Sequence, residues 1–179
     1  MRYGDGPVVE CDVHVGAAPG RVWELVSDIE VPARFSPELR RVRWLDDPPA
    51  PGARFEGHNR NALLGEWRTV SYVTELAAPR TFAWAVVDPD GRYGGPAADP
   101  HTPLASWRFD LTPEDGGTRL RLGARLGPAR SGLSLAIDRM PDREEALVRH
   151  RLADLRTGIR ATLEGIKALA EQDGPATPR

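Results

Sequence analysis

The side chains of this sequence able to do acid–base or nucleophilic chemistry are few and scattered. There are four histidines, His14, His58, His101 and His150, and a single cysteine, Cys11. No two histidines have the spacing of paired metal ligands and one cysteine cannot make up the deficit, so no metal is expected. The sequence has no glycine-rich phosphate motif, no Gly-x-Ser-x-Gly elbow and no dinucleotide fingerprint, so no cofactor is expected either. Among the carboxylates, Glu145 stands out. On a helical wheel of ~100° per residue it falls near the centre of the apolar stripe of a long predicted helix, about two turns before Leu152. Two readings stay open: a solvated residue at an exposed helix end, or a carboxylate at a cavity mouth. Partial desolvation at a mouth would raise its pKa and suit it to proton transfer. His150 falls on the far side of the same wheel, as a surface histidine.

The remaining polar candidates sit on predicted strands and loops. His58 and Arg60 alternate with Asn59 and Asn61, and Phe55 and Gly57 share the asparagine face, which points Asn59 inward and His58 outward. Asn59 then either contacts a ligand in an apolar pocket or bonds its own backbone. His101 and Asp99 lie close in a loop rich in glycine and proline, as a solvent-exposed pair. Five tryptophans are a rich supply for 179 residues. Trp67, Trp84 and Trp107 are either core filling or the walls of a flat pocket for a planar or polycyclic ligand. The expected ligand-binding set is Phe35, Asn59, Trp67, Ser71, Trp84 and Trp107, with Asn59 and Ser71 as the orienting polar groups.

The elements that must position these residues follow from periodicity. Val9, Cys11, Val13 and Val15 alternate with polar residues as a half-buried first strand. Pro19 opens a helix whose face is Val22, Trp23, Val26 and Ile29, and Pro32 is expected to end it. Phe35-Ser36-Pro37 reads as a turn or a second small helix. Strand-like runs follow at 38–46, 53–60, 66–76, 80–88, 104–112 and 117–127, separated by Pro and Gly turn chemistry, so neighbours should be antiparallel. Trp107, Phe109 and Leu111 share one face, as do Leu120, Leu122, Ala124 and Leu126; Phe82, Trp84 and Val86 also point inward. In the run from Trp67 to Leu76 two faces compete, Val70, Tyr72 and Leu76 against Trp67, Ser71 and Val73. From Asp88 to Pro103 seven of sixteen residues are Gly or Pro, the composition of a lid or a mobile loop. Arg130 to Met140 carries a small apolar group, Leu133, Leu135 and Ile137. The chain closes on a helix from Pro141 to Gln172, about 45 Å long at the standard rise. Val148, Leu152, Leu155, Ile159, Leu163, Ile166 and Ala170 make its continuous stripe. The expectation is one domain over 1–172 with a disordered tail at 173–179.

Composition excludes several classes. With 40% hydrophobic and 28% charged residues and a net charge of −2, no basic surplus marks a nucleic-acid binder. No run approaches a membrane span and the opening lacks a signal-peptide core, so the expectation is a cytoplasmic protein without integral membrane association. Lys167 is the only lysine against many arginines, which fits a GC-rich bacterial source.

Three stretches carry a family resemblance. The opening Val13-His14-Val15 is followed by Ala18-Pro19-x-x-Val22-Trp23-x-x-Val26-x-Asp28; Arg80-Thr81-Phe82-Ala83-Trp84 pairs with the strand before it; and Trp107-x-Phe109-x-Leu111 leads to Gly117-Thr118-x-Leu120. Over residues 8–172 the chain resembles the START-like, or SRPBCC, superfamily, in particular its polyketide cyclase/dehydrase and lipid-transport branch. The resemblance implies an α+β helix-grip fold: a curved antiparallel sheet of about seven strands wrapped around a long C-terminal helix. It implies a hydrophobic or aromatic small molecule, lipid- or polyketide-like, bound between sheet and helix. A polyketide cyclase/aromatase or dehydratase-like enzyme is the alternative, and a protein-interaction module with a filled interior is a third reading. For the aromatase/cyclase mechanism the resemblance implies an Arg on the middle strands and a Tyr near the second small helix. Anchored on Asp28-Ile29-Glu30 and Val70-Ser71, those positions fall near Val73 and Glu38, and neither residue matches.

Overall fold

The computed structural model describes residues 1–62, 65–94 and 99–172; the predicted tail at 173–179 and positions 95–98 of the predicted lid lie outside the described residues. Seven strands form one antiparallel sheet: β1 (Val8–Val15), β2 (Leu39–Trp44), β3 (Arg54–Asn61), β4 (Gly65–Ala77), β5 (Thr81–Val87), β6 (Ala105–Glu114) and β7 (Gly117–Leu126). Their spatial order is β1-β7-β6-β5-β4-β3-β2, so the chain meanders from β2 to β7 and the first strand closes on the last. Among the described residues four α-helices complete the fold: α1 (Pro19–Ser27), α2 (Glu30–Ala33), α3 (Gly132–Arg139) and α4 (Glu144–Gln172). This is the helix-grip arrangement. Among the described residues no helix is long and apolar enough to cross a membrane.

Two local details differ from the sequence expectation. Pro32 does not end the first helix. Asp28 does, with an extended backbone at φ −81° and ψ 101°, and its Oδ1 accepts the Glu30 N–H at 3.0 Å to start α2. Pro32 then lies within the first turn of α2, where its missing N–H leaves no hydrogen bond unmade. The long helix also starts later than Pro141, because Pro141–Arg143 form a 3-10 turn that leads into Glu144.

Each of the competing faces of β4 is inward over part of the strand. Its register against β5 slips between Val73 and Glu75, a bulge that places one extra residue in β4. Before the slip Trp67, Thr69, Ser71 and Val73 face the interior; after it Leu76 does, opposite Phe82.

α4 buries Val148, Leu155, Ile159, Thr162, Leu163, Ile166 and Ala170. Its close approach is to β1 and β7 and to the short helices, not to the middle strands. Lys167 Nζ donates to the His14 carbonyl at 2.6 Å and Glu171 accepts the Gly16 N–H at 2.7 Å, which fixes its C-terminal end on β1. On the other flank Phe35 lies flat on Gly165. A Cβ at that glycine would sit 2.3 Å from the ring.

That contact generates a contrast between two helical glycines. Gly165→Ala should lower stability by about 1–3 kcal/mol, because overpacking outweighs the gain in helix propensity. Gly20→Ala in α1, where an added Cβ meets nothing within 4 Å, should instead raise it by up to about 1 kcal/mol. Urea unfolding of the two variants measures both signs.

Candidate functional site

Because α4 stays close to one edge of the sheet, the middle strands are left facing open space. A cavity of about 870 Å³ occupies it. Its floor is one face of the sheet, from Asn59 and Phe55 on β3 through Ser71 on β4 and Trp84 on β5 to Trp107 on β6. Its roof is α4, from Arg151 to Thr162. Trp84 and Trp107 are directly opposed across β5 and β6, with parallel rings 6° apart in plane and 6.2 Å between centroids. Phe55, Phe82 and Phe109 surround Trp84 at 6.0, 5.1 and 5.9 Å. All five rings line the cavity; the three phenylalanines are buried, whereas both indoles are half-buried and present the more open part of the wall.

At the end of the cavity near the start of α4 a polar cluster interrupts this wall. Arg151 donates from Nη1 and Nη2 to the two oxygens of Glu38, at 2.6 and 2.9 Å, as a bidentate pair. Asn61 Nδ2 adds a third bond to Glu38 at 2.9 Å. Burial pushes the Glu38 carboxyl up, but the hydrogen bonds and charge of Arg151, with Asn61, outweigh it and hold the group below its ordinary 4.5. Tyr93 lines the same cavity and feels both charges, and burial raises its hydroxyl above the usual 10. At neutral pH it is therefore a phenol that can donate.

The position of Tyr93 is fixed from three sides although it lies in the Gly/Pro-rich loop. Asp88 accepts the N–H groups of Asp90 and Tyr93 at 3.2 and 3.0 Å, folding the chain back directly after β5. Arg68 on β4 holds Asp90 at 2.5 Å. Arg130, from the segment before α3, donates to the Tyr93 carbonyl at 3.1 Å and pairs with Asp138. The loop after β5 and the segment before α3 are thus tied to each other.

Of the residues singled out from sequence, Asn59, Trp67, Ser71, Trp84 and Trp107 all line the cavity. Asn59 is inward, with Nδ2 3.3 Å from Thr69 Oγ1, and His58 is outward. Phe35 is not among the residues that line the cavity; it packs on Gly165 at the flank of α4. Glu145 is also elsewhere. Its side chain is 67% exposed and pairs with the amino terminus at 3.2 Å, because the 3-10 turn at Pro141–Arg143 starts the helix outside the cavity. His101 is exposed, and Asp99 accepts its backbone N–H rather than meeting its ring. Sequence reading missed Glu38, Arg151, Tyr93 and Thr162, which join the cavity from three separate segments, Arg151 and Thr162 both on α4.

On the outer face of the sheet a second ionic group surrounds Glu56. Arg68, His58 and Arg43 reach its carboxylate at 2.9, 2.9 and 3.1 Å, and hold it down to about 2. It faces away from the cavity. Among the described residues no cluster of three or more His, Cys, Asp or Glu side chains could hold a metal.

The sequence matches the family described as polyketide cyclase / dehydrase and lipid transport over residues 7–171. No curated protein matches it. Among solved structures it is similar to the Polyketide_cyc-like protein Cgl2372 from Corynebacterium glutamicum, at 26% identity over 95% of this chain and 97% of that one, with a TM-score of 0.60. It is similar in fold to the Zhui aromatase/cyclase from Streptomyces sp. R1128, at 20% identity over 93% and 94%, with a TM-score of 0.62. Protein Ms6760 from Mycobacterium smegmatis shares the fold at 17% identity over 97% of each chain, with a TM-score of 0.60.

Glu38 and Glu56 both bind a proton less readily folded than unfolded. Their stabilisation is complete above the ordinary 4.5 and drains away as pH falls through their lower folded values. The drop in urea midpoint from about pH 5 to about pH 2 should therefore be shallower in Glu56→Gln than in the parent protein. Equal slopes would mean that the surrounding cations do not bias this carboxylate.

Proposed function

Because the chain belongs to the polyketide cyclase/dehydrase and lipid-transport family, we propose that its cavity binds a hydrophobic or aromatic small molecule between the sheet and α4. The observation that carries this reading is the pair of parallel, half-buried indoles of Trp84 and Trp107 in a space of about 870 Å³. A planar ligand laid against them replaces water on two large aromatic faces. Each Å² of apolar area removed from water contributes roughly 25 cal/mol before the costs of ordering. Cavities of this size, apolar with a few convergent polar groups, are the usual form of small-molecule sites. An interaction module is disfavoured, since that reading needs a filled interior and an exposed apolar patch. Among the described residues the exposed large hydrophobics are Met1, Val8 and Met140, and Met140 is only 40% exposed.

The second reading is a cyclase/aromatase or dehydratase-type catalyst. It is favoured by one observation, that Tyr93 lines the same cavity as the Glu38–Arg151 pair. A phenol there would donate to the oxygen of a developing enolate. Glu145, exposed and paired with the amino terminus, has no part in it. Under this reading Tyr93→Phe abolishes turnover of a bound compound while leaving its affinity within a few-fold.

Tryptophan fluorescence and thermal shift against a panel of polycyclic aromatic compounds test the binding itself. The expected result is a saturable quench with a raised melting temperature, ligand at about 100 times Kd adding roughly 2.7 kcal/mol of stability. Trp107→Ala should weaken that binding by about tenfold. A panel that gives neither quench nor shift would remove the ligand-binding reading.

A further inference from the structure

The polar groups of the cavity divide into those already satisfied and those that are not. Glu38, Arg151 and Asn61 satisfy one another, and the charges cancel. By contrast, the hydroxyls of Ser71, Tyr93 and Thr162 make no hydrogen bond to any described residue, though these residues are only 4%, 6% and 5% exposed. All three residues line the cavity, Ser71 from the sheet, Thr162 from α4 and Tyr93 from the loop after β5. Each hydroxyl oxygen keeps access to the space of the cavity, so each is a place where a ligand oxygen can take the position of water. The positions are spread out: Thr162 lies roughly 16 Å along the helix axis from Arg151, whose charge Tyr93 feels.

We propose that the cavity selects uncharged ligands carrying several hydroxyl or carbonyl oxygens, and that Glu38 rejects carboxylates by occupying the guanidinium of Arg151. This rests on the small-molecule reading above. An acid entering the cavity would be stripped of water without gaining a cation, because both donor nitrogens facing inward from Arg151 are bonded to Glu38. It would also approach the Glu38 carboxylate itself. A neutral alcohol or ketone meets no such penalty and can use Ser71, Thr162 or Tyr93. Three charged side chains stand at the rim, Arg40, Arg60 and Asp154, all of them exposed. A carboxylate held at one of those arginines stays hydrated, with its ring outside the tryptophan wall.

Calorimetric titration of the full chain at neutral pH with 2-(hydroxymethyl)anthraquinone and with anthraquinone-2-carboxylate tests this, since the two share one ring system. The alcohol should bind about tenfold or more tightly than the acid. Glu38→Gln, which keeps an oxygen for Arg151 but removes the negative charge, should reverse or erase the preference by admitting the acid. The double variant Glu38→Gln/Arg151→Gln should lose the acid again, with far-UV circular dichroism confirming that both variants fold. Equal or tighter binding of the acid by the parent protein would overturn the proposal while leaving the ligand-binding reading intact. An unchanged preference in folded Glu38→Gln would overturn the role of Glu38. If neither compound binds the parent, the ligand-binding reading fails and this inference with it.

Discussion

α4 is held to the body of the protein at its two ends by different forces, and the space between depends on both. At its C-terminal end, buried Leu163, Ile166 and Ala170 meet β1 and β7, with Lys167 and Glu171 bonded to the backbone of His14 and Gly16. Near its N-terminal end, Arg151 reaches across to Glu38 at the entry to β2, on the opposite edge of the sheet. Between these anchors the helix passes over strands it does not touch closely. A helix packed along its whole length would fill the groove with side chains. One fixed at the edge and strapped at the far end encloses a volume instead.

The strap has an energetic cost that its surroundings must offset. Removing a carboxylate and a guanidinium from water costs several kcal/mol each, and the mutual attraction offsets this only where the geometry is good and the remaining bonds are made. The two-pronged contact with Arg151 and the third bond from Asn61 meet that condition. The same completeness makes the pair a poor host for a further charge. The contrast with the unbonded hydroxyls of Ser71, Tyr93 and Thr162 is therefore a contrast of capacity, not of polarity.

Much of the container was legible in the sequence because its signals are local. Alternation along Trp107–Leu111 and Leu120–Leu126 gave the inward faces, and the stripe from Val148 to Ala170 gave the helix that lies over them. The ambiguity of β4 was itself a true signal. A bulge changes the parity of the face in mid-strand, so both competing sets contain inward residues. What could not be read locally were contacts between distant segments. Glu38 and Arg151 are 113 positions apart, and neither has a sequence neighbour that hints at the other. Tyr93 sits in a stretch whose glycines and prolines suggest irregularity, yet Asp88, Arg68 and Arg130 hold its surroundings from three other positions. Glu145 was left between two readings, a solvated helix end and a cavity mouth, for a different reason. A helical wheel gives direction around an axis and not distance along it, so it could not tell that the turn at Pro141–Arg143 places this residue beyond the cavity.

The departure from the family pattern at Val73 and Glu38 takes on a different meaning once the cavity is in view. Val73 is 2% exposed and belongs to the apolar core, so the middle strands contribute no arginine there. Glu38 holds the other position, and its partner is an arginine that arrives from α4. An arginine and a tyrosine are thus present in the cavity, but on different elements and with the arginine already paired. A group that is to stabilise developing negative charge must have donors free to do so in the transition state. Here that condition is met by Tyr93 and is not met by Arg151 while Glu38 remains ionised. Charge stabilisation by this arginine and tyrosine must therefore begin either from the phenol or from a rearrangement of the ion pair, whereas binding alone requires neither. On these grounds binding is the simpler consequence of the fold, and catalysis an addition that Glu38 would have to permit.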